Sequence, residues 1–200
     1  MTTPKIIGIA GGSGAGKTTL AQALVDRLSG QALLISHDSY YRYMPCGNYD
    51  LPESLDTDMM IAHLERLRSG YSVDLPIYDM IANSRKAETI QVHPHPFIIV
   101  EGIFVLTLPE ILECLDFKIY VETPDDLRMK RRIARDSKEK LRTKTSVIQE
   151  WQSNVMPTHK ELVMPGASVA DLVVSGETAV GEIVQKILGE VKPMSLPDHL

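Results

Sequence analysis

The chain has 200 residues, 44% of them hydrophobic, with 21 Lys and Arg against 26 Asp and Glu for a net charge of −5. That length supports one substantial core, and the mild acidity, with no dense basic run interleaved with aromatics, argues against a nucleic acid polymer as partner. The two cysteines, Cys46 and Cys114, lie far apart without metal-ligand company and read as reduced thiols; the N-terminal apolar run, broken by Gly8, is neither a secretory segment nor a membrane span, so a cytoplasmic protein with no membrane partner is expected.

The first apolar run, Lys5 to Ala10, reads as a strand, and the helical pattern from Thr19 to Leu28 places Leu20, Leu24 and Leu28 on one stripe. Between them stands Gly11-Gly12-Ser13-Gly14-Ala15-Gly16-Lys17-Thr18. Glycines let the backbone turn around a phosphate and approach it with no Cβ in the way, and the following helix adds the positive end of its dipole. Lys17 is placed to reach the β- and γ-phosphates, and the Thr18 hydroxyl to coordinate the Mg²⁺ that travels with a nucleotide. The expected nucleotide-binding set is therefore Gly11, Gly12, Ser13, Gly14, Ala15, Gly16, Lys17, Thr18 and Thr19. A mere glycine-rich turn is the competing meaning, but the strand before and the helix after are the context the motif requires.

Further strands are expected at Ala32 to Ser36, Phe97 to Val100, Phe117 to Val121 and Asp171 to Val174, alternating with helices. One helix runs from Thr57 to Ser69 with Met60, Leu64 and Leu67 inward and Gly70 beyond its end. Alternation at Val73, Leu75 and Ile77 and again at Ile90 and Val92 indicates an antiparallel flap. Thr123 as N-cap, Pro124 in the first helical position and Asp125 and Asp126 in the first turn mark the next helix start. Later helices are expected over Thr145 to Leu162 and Glu177 to Val191. His93 and His95 bracket a proline at a turn and are set aside as a metal site. The fold class is thus α/β: a parallel-sheet P-loop NTPase fold with helices on both faces, a small antiparallel β-flap insertion and a helical lid. It is expected as a single domain over 1–192, with the flap near 70–96, the lid near 128–145 and a flexible tail at 193–200.

Ligands in an open parallel sheet collect beyond the carboxyl ends of its strands. Asp38 and Glu101 fall there, Glu101 after a run whose unbroken apolarity indicates burial on both faces. A carboxylate in that position needs solvent, a partner or a metal, and with Thr18 nearby Mg²⁺ is the economical choice, so Thr18, Asp38 and Glu101 form the candidate metal set. Arg128, Arg131, Arg132 and Arg135 fall within roughly a 100° arc of one helix, where Asp125, Asp136 or Glu139 could offset their repulsion. A solvated basic face is the usual meaning of such a run, but it leads into the polar stretch Lys138 to Lys144, which resembles a lid supplying cations to transferring phosphates. On that reading its charges find their partners only when ligand is bound.

Beyond the phosphate loop, the chain carries Asp38-Ser-Tyr-Tyr-Arg42, Asn48-Tyr-Asp-Leu-Pro52, Pro76-Ile-Tyr-Asp79 with Ser84-Arg85, Val100-Glu-Gly-Ile103, Arg131-Arg132 with Arg135-Asp136, and Val155-Met-Pro157 leading to Ala170-Asp171. In this order and at this spacing it resembles the uridine kinases over nearly its whole length. The resemblance implies ATP or GTP as phosphate donor, Mg²⁺ and a small nucleoside substrate, and it allows a homo-oligomer. It implies that Asp38 accepts or orients the proton of the nucleoside 5′-hydroxyl and that Lys17, Asp38 and Arg135 are catalytic. Tyr41 and Tyr49 would wall the nucleoside pocket, Asp50 would bind ribose hydroxyls and Tyr78 would face the base. Arg132 and Arg142 match positions that approach substrate and phosphates; with Arg131, Arg135 and Lys140 they make up the lid cations.

Two departures touch substrate choice: Asn83 stands where the family usually has histidine beside the base, and Glu150, followed by Trp151, where it usually has glutamine. Asn offers donor and acceptor, whereas a carboxylate only accepts. The lid reads Lys140-Leu-Arg142 in place of Arg-Gly-Arg, which implies a stiffer hinge. The alternatives are a kinase of another small hydroxyl substrate, pantothenate-like or a sugar phosphate, and a silent nucleotide-binding protein that would be expected to have lost Lys17, Asp38 or Glu101. A regulatory GTPase would need Asp-x-x-Gly and Asn-Lys-x-Asp, and neither string occurs.

Overall fold

The computed structural model of the chain describes residues 3–44, 48–139 and 142–191. Cys46, Lys140 and the tail 193–200 lie outside the described residues. In chain order the strands are β1 (Lys5–Ala10), β2 (Ala32–Ser36), β3 (Val73–Asp79), β4 (Ser84–Val92), β5 (Phe97–Glu101), β6 (Phe117–Glu122) and β7 (Leu172–Ser175). The helices are α1 (Lys17–Arg27), α2 (Thr57–Arg68), the short α3 (Pro109–Leu112), α4 (Asp125–Glu139), α5 (Lys144–Glu150), α6 (Met156–Thr158) and α7 (Val180–Val191).

Five strands pair in parallel in the order β2-β5-β1-β6-β7. Each parallel return needs a crossover, and the alternation of strand and helix supplies it. The apolar residues of β5 divide between two cores. Ile98 and Val100 join Ile6, Met60, Leu64, Leu67 and Phe104 on one face. Phe97 and Ile99 join Ile7, Ile9, Leu20, Leu24, Ile183 and Ile187 on the other. Burying each such side chain fully contributes roughly 1.5–3 kcal/mol, which explains why a strand covered on both faces reads as an unbroken apolar run. This bears out the expected α/β class. The antiparallel pair β3 and β4 stands apart as its own two-stranded sheet. No described helix is long and apolar enough to cross a membrane.

Three local expectations need correction. Thr123 does not cap α4: its hydroxyl donates to the Ala15 carbonyl (3.0 Å), while the Pro124 carbonyl accepts from the Arg128 N–H (2.9 Å), putting the proline in the capping position. The last helix starts at Val180, not Glu177, because residues 176 and 177 form a turn in which the Ser175 hydroxyl accepts from the Glu177 N–H (3.2 Å). The helix expected over 145–162 is there, but it widens into π turns at Trp151–Val155 and His159–Val163. Pro157 lacks an N–H and crowds the carbonyl four residues back, which accounts for the first widening.

Candidate active site

The phosphate loop leaves β1 at Ala10 and passes through left-handed backbone at Gly14 (φ 80°) and Gly16 (φ 103°). A Cβ on Gly14 would stand 2.4 Å from the Arg128 carbonyl oxygen, so both the dihedral and the close approach require glycine. Helix α1 opens directly behind with no acidic residue in its first turn, leaving the positive end of its dipole unopposed. Several loop carbonyls are drawn backward. Arg128 Nη1 donates to the Ser13 carbonyl (3.3 Å), and Arg131 Nη1 joins Thr123 on that of Ala15 (3.3 Å).

Parallel register sets the acids. Glu101 pairs with Ile9 on one side and Ser36 on the other, and the Ser36 hydroxyl donates to Glu101 Oε1 (2.8 Å). A Cβ on Gly102 would lie 2.5 Å from the Cβ of His37, so only glycine lets the 3-10 turn His37–Tyr40 fold over the end of β5 and carry Asp38 towards Glu101. Glu101 is 4% exposed. Burial and then the charge of Asp38 push its carboxyl above the usual range, against the pull of Lys17 and of the Ser36 and Thr18 hydroxyls. Burial likewise lowers the Lys17 ammonium, with Glu101 and Asp38 opposing, and its Nζ donates to the Gly12 carbonyl (3.2 Å). The buried Lys17 and Glu101 and the half-buried Asp38 hold one another in a site short of solvent, the setting in which charge chemistry is strongest.

Lys17, Thr18, Asp38 and Glu101 line one end of a cavity of about 420 Å³. Its other end is aromatic. Tyr41 packs edge-on to Tyr49 (5.7 Å between ring centres) and tilted against Tyr78 (5.4 Å), beside the buried Asp50. Arg132 spans the two ends, donating to the Ser13 hydroxyl (2.8 Å) and to Glu150 Oε2 (2.8 Å), with Asp50 3.9 Å away. Arg142 donates to the same Glu150 oxygen (2.5 Å), and Arg135 donates to Asp136 (2.8 Å), whose side chain is fully buried.

Similarity to known proteins agrees with this geometry. The model of the phosphoribulokinase/uridine kinase family matches residues 41–181, and that of the zeta toxin matches residues 1–58, the stretch holding the phosphate loop. The uridine kinases of Bacillus pumilus and Bacillus anthracis are 40% and 39% identical to the chain over 197 residues, covering 92% of it and 94% and 93% of their own lengths.

The chain belongs to the phosphoribulokinase/uridine kinase family. Membership fixes the reaction class as phosphoryl transfer to a hydroxyl group. Among solved structures, the D-glycerate 3-kinase of Cryptococcus neoformans shares the fold with a TM-score of 0.65 at 16% identity, over 90% of this chain and 88% of its own.

Within this family member, several expected site residues are placed differently from the sequence reading. Arg131 does not line the cavity: its two Nη groups hold the carbonyls of Ala15 and Gly176. Thr19 opens instead onto a neighbouring cavity of about 260 Å³ shared with Gly16, Arg131 and Thr178. Asn83 lines the main cavity, but it sits in left-handed backbone (φ 50°) closing the β3–β4 turn, where Asp79 accepts the N–H groups of Ile81 and Ala82 (2.9 Å each). Asparagine tolerates that conformation better than most residues, so its presence has a backbone cause. Glu150 is not a free acceptor, since both arginines hold its carboxylate. The described lid cations Arg131, Arg132, Arg135 and Arg142 have protein partners without any ligand, contrary to the expectation that opposite charges meet only on binding.

For a metal, the donors on hand are the Thr18 hydroxyl and the Asp38 and Glu101 carboxylates. No group of three or more His, Cys, Asp or Glu ligands exists among the described residues. Hard oxygens too few to cage an ion alone are what Mg²⁺ uses when phosphates and water complete its shell, so the residues fit. Sequence reasoning missed His37, which is 1% exposed, whose ring nitrogens have no partner, and whose pKa burial lowers to about 4. It also missed Arg128, buried under the loop against Trp151 with its guanidinium carbon 5.0 Å from the ring centre, and took it for part of an open basic face. The Glu-Gly pair at 101–102 was the available signal for the first. No local pattern marks the second.

Proposed function

We propose that the protein is a nucleoside 5′-kinase that transfers the γ-phosphoryl group of ATP or GTP to uridine or cytidine with Mg²⁺. The observation that carries this is one cavity joining Lys17, Thr18, Asp38 and Glu101 to a wall of three tyrosines and the carboxylate of Asp50. The loop amides and Lys17 bind the β- and γ-phosphates, and the donor's base extends into the cavity beside Thr19. Tyr41, Tyr49 and Tyr78 enclose the acceptor's flat ring, and Asp50 receives ribose hydroxyls. Asp38 aligns the 5′-hydroxyl and takes its proton as the oxygen bonds to the γ-phosphorus and the bond to the β–γ bridging oxygen breaks. Arg132 and Arg135 face the charge that spreads over the transferring group. Thr18, Asp38 and Glu101 would hold Mg²⁺, which supplies charge neutralisation between the phosphates.

On this reading 1–192 is a single domain, the β3–β4 pair is the acceptor flap, and the segment from 128 to 145 is the lid. Nucleoside-dependent ADP release, measured across a panel of nucleosides, pantothenate and sugar phosphates with Asp38→Asn as blank, tests it. Release with a sugar phosphate or pantothenate and with no nucleoside overturns it. That second outcome, a kinase of another small hydroxyl compound, draws support from the fact that Glu150 is already engaged by Arg132 and Arg142.

A further inference from the structure

We propose that Arg85 is a positioning residue that fixes the catalytic carboxylate and the aromatic wall relative to each other, a role that rests on the kinase reading above. Arg85 lies on β4 directly across from Tyr78 of β3. Its guanidinium leaves the flap and reaches the segment that follows β2. There Nε donates to the Tyr41 carbonyl (2.9 Å), Nη2 to the Tyr40 carbonyl (2.7 Å) and Nη1 to Asp56 Oδ2 (3.1 Å).

Those two carbonyls belong to the peptide planes on either side of Tyr41. Holding both fixes the backbone of Tyr41 and so the direction of its ring. The Tyr41 N–H in turn meets the Asp38 carbonyl (3.5 Å) at the end of the 3-10 turn, so the same clamp sets where that turn stops and Asp38 begins. Asp56 completes the frame. It caps α2 by accepting the Met59 N–H (3.4 Å), and its own N–H donates to the Tyr40 carbonyl (2.9 Å). A planar fork with several fixed donors can bind two carbonyls and a carboxylate together; an ammonium cannot reproduce that geometry. Flap, turn and the start of α2 therefore move as one piece, and an acceptor seated against Tyr78 is indexed to Asp38. Arg42 offers a control: it pairs with the same Asp56 (3.0 Å) but is 49% exposed, and its guanidinium does not clamp the turn.

The test compares Arg85→Gln, Arg85→Lys, Asp56→Asn and Arg42→Ala by amide hydrogen exchange and by separate donor and acceptor kinetics. In Arg85→Gln, exchange over 38–42 should rise at least about tenfold while 11–18 stays unchanged, and kcat should fall roughly tenfold to a hundredfold, the scale of a misplaced reacting group. Acceptor KM should rise severalfold with donor KM within about twofold, since the phosphate loop is untouched. Arg85→Lys and Asp56→Asn should fall between this and the wild type, and Arg42→Ala should match the wild type. Unchanged exchange over 38–42 in either folded Arg85 variant, or donor and acceptor KM rising together, overturns the proposal. Should the wild type turn over another hydroxyl compound and no nucleoside, the nucleoside reading falls while the same comparison on that acceptor still judges Arg85. The exchange pattern needs no acceptor at all.

Discussion

At the donor end of the cavity, Gly14, Gly16, Lys17 and Thr18 come from one contiguous stretch held by backbone geometry. At the end we propose for the acceptor, Tyr41, Tyr49, Tyr78, Asn83 and Glu150 arrive from the loop after β2, the β3–β4 hairpin and helix α5. A Cβ cannot be added at Gly14 without collision, so the donor end tolerates little change. The acceptor end is assembled from side chains on separate elements, and its charged groups satisfy one another through Glu150 and Asp136. On the proposed reading, phosphate binding and acceptor choice rest on separate elements joined through Arg132, which bonds both Ser13 and Glu150.

The sharpest way to break the comparison is at the junction of the ends. Asp38→Asn should leave nucleotide affinity nearly intact while kcat drops at least about a hundredfold, the scale of a positioned acid-base group; equal losses in both would place Asp38 in donor binding instead. Gly102→Ala comes next. Its Cβ would force the His37 turn away from β5, and kcat should fall on the order of tenfold with the donor's dissociation constant little changed. Calorimetric titration with a non-hydrolysable nucleotide beside steady-state rates separates the two quantities.

Glu150→Gln sharpens the acceptor side. Losing the charge that pairs Arg132 and Arg142 should shift KM values among acceptors by a few-fold, the size of a partly exposed ion pair, with kcat less affected. An identical profile across the acceptor panel would mean that Glu150 neither contacts the acceptor nor steers the arginines that do. The smallest effect concerns pH. Burial, then Arg128, lowers the His159 pKa to about 4, below the ordinary 6.5, so the folded state keeps the ring neutral where the unfolded chain takes up a proton. The stability it contributes is whole above about 6.5 and declines as pH falls towards 4. Melting temperatures measured over that interval should fall less steeply in His159→Gln than in the wild type.

The parallel sheet, its strand ends and the phosphate loop were legible because each rests on a local pattern: β5 reads as apolar throughout, and the glycines and Lys17 are contiguous. Asp38 and Glu101 were legible as well, since a carboxylate just past a buried strand has few places to go. Arg128 was not. Helical spacing puts it on one face with Arg131, Arg132 and Arg135, but the face is divided in space, two of the four turned under the loop and two towards the cavity. Spacing reports direction around a helix, not what waits there. Glu150 was misread for a related reason. A residue's hydrogen-bonding capacity is visible in sequence, but whether an arginine already consumes it is decided by partners elsewhere in the chain.

Thr123, Arg128 and Arg131 tie the base of α4 to the carbonyls of Ser13 and Ala15. A helix riveted at its root cannot swing as a rigid rod without tearing the loop it is fastened to. If the proposed lid sweeps, it must pivot beyond Arg132, which leaves Arg135 and Arg142 as the charges free to travel and makes the near half of α4 a fixed mast.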